Sequence, residues 1–256
     1  MIDPAATPEE AVAPRDAVYW AQPVGTLKVT DVPAGAVNLN VDGRAMVGAL
    51  QGFGQLWQKT YRIRLAGTHV TPAEVVATWK ANFPAFQPAN SRFFPALTGV
   101  QPGSVLLINA SMTGLPVYTG VAVIYADDVS FTVMTAEAHP EAGWNTFSAY
   151  EDEDGCVVAQ VQSLARANDP IYEMGFRFFG FGARQQERIW HHVLRSLAAH
   201  YGVTAEVEMT RVCVDPHIQW RYATNVWRNA AMRSLLYRVG APLRAVRGLA
   251  RRPGTR

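Results

Sequence analysis

Residues 55–65 alternate, with Trp57, Lys59, Tyr61, Ile63 and Leu65 on one side and Gln58, Thr60, Arg62 and Arg64 on the other. That period of two is the mark of a strand with one face on a core. Residues 93–126 contain no charged side chain, and Pro95, Gly99, Pro102, Gly103, Gly114, Pro116 and Gly120 cut the run into short pieces. A membrane-crossing helix needs about 20 continuous apolar residues, so this run reads as buried strands. Strands are expected over 24–30, 105–110, 117–125, 130–135, 146–151, 156–165 and 206–214. Asp127-Asp128 and Asp152-Glu153-Asp154-Gly155 serve as hairpin turns. Glycines 35, 43, 48, 52 and 54 break the preceding segment into turns, suited to a hairpin or a lid. The Gly52-Phe53-Gly54 sequence lacks the third glycine and following helix of a dinucleotide fingerprint.

Helical patterns punctuate this meander. Thr71-Pro72-Ala73-Glu74 is a capping box with proline at the first helical position, predicting a helix to about residue 82 that Pro84 and Pro88 stop. Ile189, Val193, Leu194, Leu197 and Tyr201 form the buried stripe of a long helix over 184–201, closed by Gly202. A last helix is expected over 218–239, with a break at Gly240-Ala241-Pro242. Beyond it, Leu243, Val246, Leu249 and Ala250 recur opposite Arg244, Arg247 and Arg251, the pattern of a short basic amphipathic helix. Runs of strands and a long helix specify an α+β fold built on an antiparallel sheet.

Charge divides the chain sharply. Residues 216–256 hold nine arginines and no acidic residue, leaving residues 1–215 with fourteen basic and twenty-one acidic side chains out of totals of 23 and 21. With Arg252, the tail's arginines suit contact with an anionic membrane surface. Nucleic acid is disfavoured as a partner, because the body is acidic and no binding motif accompanies the tail. Two cysteines, Cys156 and Cys213, are too few for a disulfide framework or a four-cysteine metal site. The first twenty residues carry neither a basic nor an apolar leader region, so a cytoplasmic location is expected, peripheral to a membrane where the tail meets one. The expected organisation is an arm over 1–22, a ligand-binding domain over 23–214 and an arginine-rich helical extension over 215–256.

No nucleophile elbow, phosphate loop or paired zinc ligands occur, and neither a cofactor nor a metal is expected. Glu187 and His191 lie one helical turn apart and read as a solvated helix face. The loop between two strands brings Glu137, His139 and Glu141 within five residues. A histidine flanked by carboxylates is suited to acid–base work, although the same charges equally suit a solvated hairpin. Arg166 with Asp169 or Glu173 reads as an ion pair bracing the strand-to-helix turn, or as a ligand contact. Lys59 either snorkels past the sheet edge or anchors an anionic group inside a cavity. The aromatics Trp57, Tyr61, Tyr118, Trp144, Phe147 and Tyr172 suit a core or a ligand pocket.

Three stretches carry a resemblance: residues 49–61 (ALQGFGQLWQKTY), residues 131–150, and residues 164–173 (LARANDPIYE). They resemble an uncharacterised bacterial family of the helix-grip superfamily, which includes START lipid-transfer domains, pollen-allergen-like proteins and polyketide cyclases. The resemblance spans about residues 23–240. It implies a curved antiparallel sheet gripping the helix around 184–201; residues 24–54, an N-terminal β extension, and the C-terminal helical extension after Val214 depart from that minimal fold. The superfamily implies an apolar cavity that binds a lipid, isoprenoid or polyketide-like molecule. Two alternatives stand beside carriage. One is a cyclase, isomerase or hydrolase with His139 as acid or base, Glu137 or Glu141 orienting it and Arg166 or Lys59 holding an oxyanion. The other is an interaction module without a functional cavity, whose sign is an exposed apolar patch on the 218–239 helix rather than a pocket.

Overall fold

In a computed structural model, residues 17–112, 114–177 and 181–241 are described. One nine-stranded antiparallel sheet organises them. In chain order the elements are β1 (Met46–Val47), β2 (Leu56–Arg64), α1 (Pro72–Asn82), β3 (Ser91–Phe94), β4 (Val105–Met112), β5 (Leu115–Ala126), β6 (Ser130–Ala136), β7 (Glu141–Glu151) and β8 (Val157–Ala167). Then follow α2 (Pro170–Arg177), α3 (Phe181–His200), β9 (Glu208–Asp215), a 3-10 segment (Trp220–Arg228) and α4 (Ala230–Val239).

Spatially the strands run β3-β4-β5-β6-β7-β8-β2-β9, with β1 beside β6. Local chemistry sets the hairpins from β3 to β8. Asp127 Oδ1 accepts from the Val129 and Ser130 amides, and Asp152 Oδ1 accepts from the Cys156 amide across a turn in which Gly155 takes φ 71°. Returning β2 to lie between β8 and β9 depends on distant pairing instead. Trp57 stands opposite both Ala165 and Cys213.

The predicted capping box forms in full. Thr71 Oγ1 accepts from the Glu74 amide at 3.2 Å, and the Glu74 carboxylate accepts from the Thr71 amide at 2.8 Å. α1 then packs Val75, Val76 and Trp79 onto the same sheet face that α3 covers with Trp190, Val193, Leu194 and Leu197. The core between them is aromatic. Phe147 stacks on Phe131 at 4.6 Å and meets Trp79, Phe83 and Trp190 edge-on at 5.3–5.5 Å.

Several elements differ from the sequence expectation. Residues 24–30 form no strand; Leu27 exchanges backbone hydrogen bonds with Gly43 and Arg44 in an irregular loop. The segment after Asp169-Pro170 is the helix α2, because Asp169 Oδ1 caps the Ile171 and Tyr172 amides. The single helix expected over 218–239 divides at Asn229. There the Asn229 side chain caps α4 at the Met232 amide, leaving the preceding residues as a 3-10 segment.

Candidate functional site

Two adjacent hollows lie between the sheet and α3. A chamber of about 110 Å³ is walled mainly by apolar side chains, including Phe93, Ile108, Val121, Val133, Phe147 and Trp190. A cleft of about 290 Å³ opens beside it and is lined by Trp57, Lys59, Ser163, Arg166, Glu173, Phe176, Arg177 and Arg211 among others. Glu141, Phe176 and Gln186 line both.

Sheet register explains how the polar groups meet. Arg211, Lys59, Ser163 and Asn145 occupy one cross-strand rung, on β9, β2, β8 and β7 respectively. From α3 above, Gln186 closes the rung. Lys59 Nζ donates to Gln186 Oε1 at 2.6 Å, and Gln186 Nε2 donates to Glu141 Oε2 at 2.9 Å. Burial pushes the Glu141 carboxyl above its ordinary pKa, against the pull of the nearby Lys59 ammonium and the Gln186 hydrogen bond.

His139 lines the chamber. Its loop is fixed by Ala138 in the left-handed region (φ 76°), by Asn168 Nδ2 donating to the His139 carbonyl, and by the Ala230 amide donating to the Ala138 carbonyl. His139 Nδ1 lies 3.0 Å from the Glu141 amide and 3.1 Å from the Glu141 carbonyl, so the backbone of Glu141 holds the ring in place with either nitrogen protonated. Desolvation lowers the ring's pKa to about 4, outweighing a backbone hydrogen bond that favours the charged form.

The expected His139–carboxylate cluster is only partly assembled. Glu141 stays beside His139 through its backbone, while its carboxylate turns to Gln186. Glu137 points elsewhere and pairs with Arg228 and, at 3.6 Å, with Arg44. It does not orient the imidazole.

Arg166 is buried, but its ion-pair partner is neither Asp169 nor Glu173. Its Nη2 meets Asp215 Oδ2 at 3.0 Å, and its Nη1 donates to the Gly54 carbonyl at 3.1 Å. The Asp215 carboxyl is lowered to about 2, first by hydrogen bonds from the His217 amide and ring, then by Arg166. Gly52 and Gly54 serve this corner. A Cβ at Gly52 would press on Arg166 Cγ at 2.7 Å, and one at Gly54 would overlap the Glu173 carboxylate. Their bare backbone lies flush on β8, with the Phe53 and Gly54 amides both donating to the Ala167 carbonyl.

Of the aromatics, Trp57 lines the cleft with the Arg211 guanidinium 5.9 Å from its ring, and Phe147 lines the chamber. Tyr61 lies on the same sheet face, fully buried and edge-on to His191 at 5.9 Å. Tyr118 and Trp144 take the opposite face. Tyr118 packs edge-on to Tyr237 of α4, and Trp144 lies near Gly48. Tyr172 is buried as a brace, its hydroxyl accepting from the Ala231 amide at 3.1 Å. The tail residues Arg244, Arg247, Arg251 and Arg252 lie outside the described residues.

Sequence reasoning passed over Gln186, Asn145, Thr119 and Phe176. Gln186 had a readable signal, because it precedes Trp190, Val193 and Leu197 on the stripe that α3 buries. Thr119 Oγ1, Asn145 Oδ1 and Trp190 Nε1, all of residues lining the chamber, have no protein partner. Among the described residues no cluster of three His, Cys, Asp or Glu side chains fits a metal ion, and no helix is long and apolar enough to cross a membrane.

An antiparallel sheet with one long and one short helix on a single face, and a hollow left between sheet and long helix, defines a helix-grip protein. The chain belongs to the family described as Domain of unknown function (DUF1990), matched over residues 57–196 of its 256. Among solved structures it is similar to the KanY protein, with 15% identity, 59% of this chain and 99% of that one covered, and a TM-score of 0.46. It is also similar to the di-domain ARO/CYC StfQ of the steffimycin biosynthetic pathway, at 13% identity, 58% and 53% coverage and a TM-score of 0.44. A START superfamily protein from Mycobacterium smegmatis is similar at 17% identity, 54% and 98% coverage and a TM-score of 0.33. No curated protein matches it in sequence.

Proposed function

We propose that this protein binds and carries a hydrophobic small molecule of lipid, isoprenoid or polyketide-like character between sheet and α3, with part of its apolar body in the chamber and the rest in the larger cleft beside it. One observation carries the reading. The chamber is apolar, yet Thr119 Oγ1, Asn145 Oδ1 and Trp190 Nε1 on its lining residues lack protein partners. An unpaired buried polar atom costs about 1–3 kcal/mol, so a guest with an apolar body and hydrogen-bonding groups is favoured there. Glu141, Phe176 and Gln186, which line both hollows, put hydrogen-bonding groups beside such a guest where chamber and cleft adjoin. Native mass spectrometry of protein purified from its own host tests this. A stoichiometric hydrophobic species is expected after denaturing extraction. A clean apo mass, together with an unchanged Tm on adding fatty acids, isoprenoids and aromatic polyketides, would overturn it.

A second reading, acid–base catalysis of the cyclase, isomerase or hydrolase type on such a guest, is favoured by His139 and Glu141 both lining the chamber. In it the neutral imidazole takes a proton from the guest as base, and the Glu141 carboxyl, whose pKa burial raises, returns one as acid, so that the net proton count is unchanged. Lys59 and Arg166, which line the cleft, hold a developing oxyanion. Turnover of an extracted ligand, lost in His139→Asn with ligand retention unchanged, is the expected result. Equal turnover by that variant and the native protein would sink the catalytic reading and leave carriage intact.

A further inference from the structure

α4 is built inside out. Its small residues Ala230 and Ser234 face the sheet, where Ser234 Oγ accepts from the Tyr118 amide at 2.9 Å. Met232, Leu235, Leu236 and Val239, spaced i, i+3, i+4 and i+7, form an apolar stripe on the exposed side, with Leu236 and Val239 each 70% exposed. The preceding 3-10 segment adds Trp220 at 75% and Trp227 at 82% exposure. A stripe in this pattern normally faces a core, so this one is matched to something outside the described chain.

We infer that this face is an interfacial membrane-binding surface that docks on anionic lipid. At about 100° per residue, Arg233 and Arg238 fall to either side of the stripe. Arg221 lies in the segment bearing the tryptophans, Arg228 beside it is paired with Glu137, and residues 216–256 contain no acidic side chain of their own. An apolar stripe between flanking arginines, with exposed tryptophans in the segment just before it, suits the boundary between headgroups and acyl chains. A second copy suits the face less well, because a two-fold interface sets each arginine-rich surface against itself. The inference stands whether or not the chamber holds a ligand.

Sedimentation of the full chain with vesicles tests it. Binding is expected to phosphatidylcholine vesicles containing phosphatidylglycerol and much less to phosphatidylcholine alone. The double variant Leu236→Glu/Val239→Glu, placed where side chains are already exposed, is expected to keep its Tm and bind at least about tenfold more weakly. Three results would overturn the inference: no sedimentation of the native protein with phosphatidylglycerol vesicles, equal binding by the double variant, or a solution dimer that the double variant splits.

Discussion

Two neighbouring rungs of the sheet have opposite fates. One carries Met209, Tyr61, Val161, Phe147 and Phe131 across five strands, and Trp79, Phe83 and Trp190 close over its two phenylalanines. The next carries Arg211, Lys59, Ser163 and Asn145, and the side chain that reaches it from α3 is Gln186. The rungs share strands, face and parity, and lie two residues apart, about 6.8 Å. One turn of α3, about 5.4 Å, separates the residues above them, Trp190 and Gln186. Side-chain alternation therefore decides what faces inward, whereas the covering helix decides whether the inward space is filled. α1 supplies Trp79 to the first rung and its chain continues into Phe83; nothing of α1 lines the chamber or the cleft.

The largest test of this contrast is Trp79→Ala, which removes the edge-on contacts to Phe131 and Phe147. It is expected to cost about 3–5 kcal/mol in urea unfolding; a loss under about 1 kcal/mol would mean that the closed rung is not close-packed.

His139 gives a pH signature. With its folded pKa near 4, below the ordinary 6.5, the unfolded chain takes up a proton first as the pH falls. Its contribution to stability is thus complete above 6.5 and declines towards 4, by about 3 kcal/mol in all. The raised Glu141 carboxyl acts in the opposite sense, because the folded protein protonates first there as the pH drops. Comparing urea midpoints of native and His139→Asn proteins from pH 7 to 4 cancels most of that second effect. Parallel pH profiles would show that His139 is not held neutral.

Gln186→Leu breaks the bridge between Lys59 and Glu141 and should cost about 1–2 kcal/mol at neutral pH. An unchanged midpoint would mean that water replaces the bridge fully. Smallest, and opposite in sign, is Thr119→Val. Removing a hydroxyl that has no protein partner should leave the empty protein unchanged or up to about 1 kcal/mol more stable. The same change should weaken retention of any extracted ligand, and a marked destabilisation would show that the hydroxyl is satisfied within the fold.

Strands and helices with local signals were legible: the capping box at Thr71, the turns at Asp127 and Asp152, and the alternation of β2 all specify what forms. Parity contained more than composition revealed. Trp144 and Phe147 are three apart on β7, so a regular strand cannot turn both inward, and the structure sends Trp144 outward. The same rule separates Tyr118 from Thr119. Partners set by tertiary return were not legible. Arg166 finds Asp215, 49 residues on, because β9 joins β2 and brings its last residue to the corner bared by Gly54. Lys59 likewise needed Gln186, 127 residues away, to become an inward group.

The position of β2 also governs how the chain is made. Its partners lie near residues 158–165 and 208–215, so from its emergence until β8 follows, both its edges are unpaired. At ribosomal speeds of about 5–20 residues per second, that interval is on the order of ten seconds. During it the strand's alternating pattern offers a ready template for the wrong neighbour. The consecutive hairpins from β3 to β8 have close-by partners and pair as they appear, leaving closure by β2 as the late, high-contact-order step on which the yield of folded protein depends.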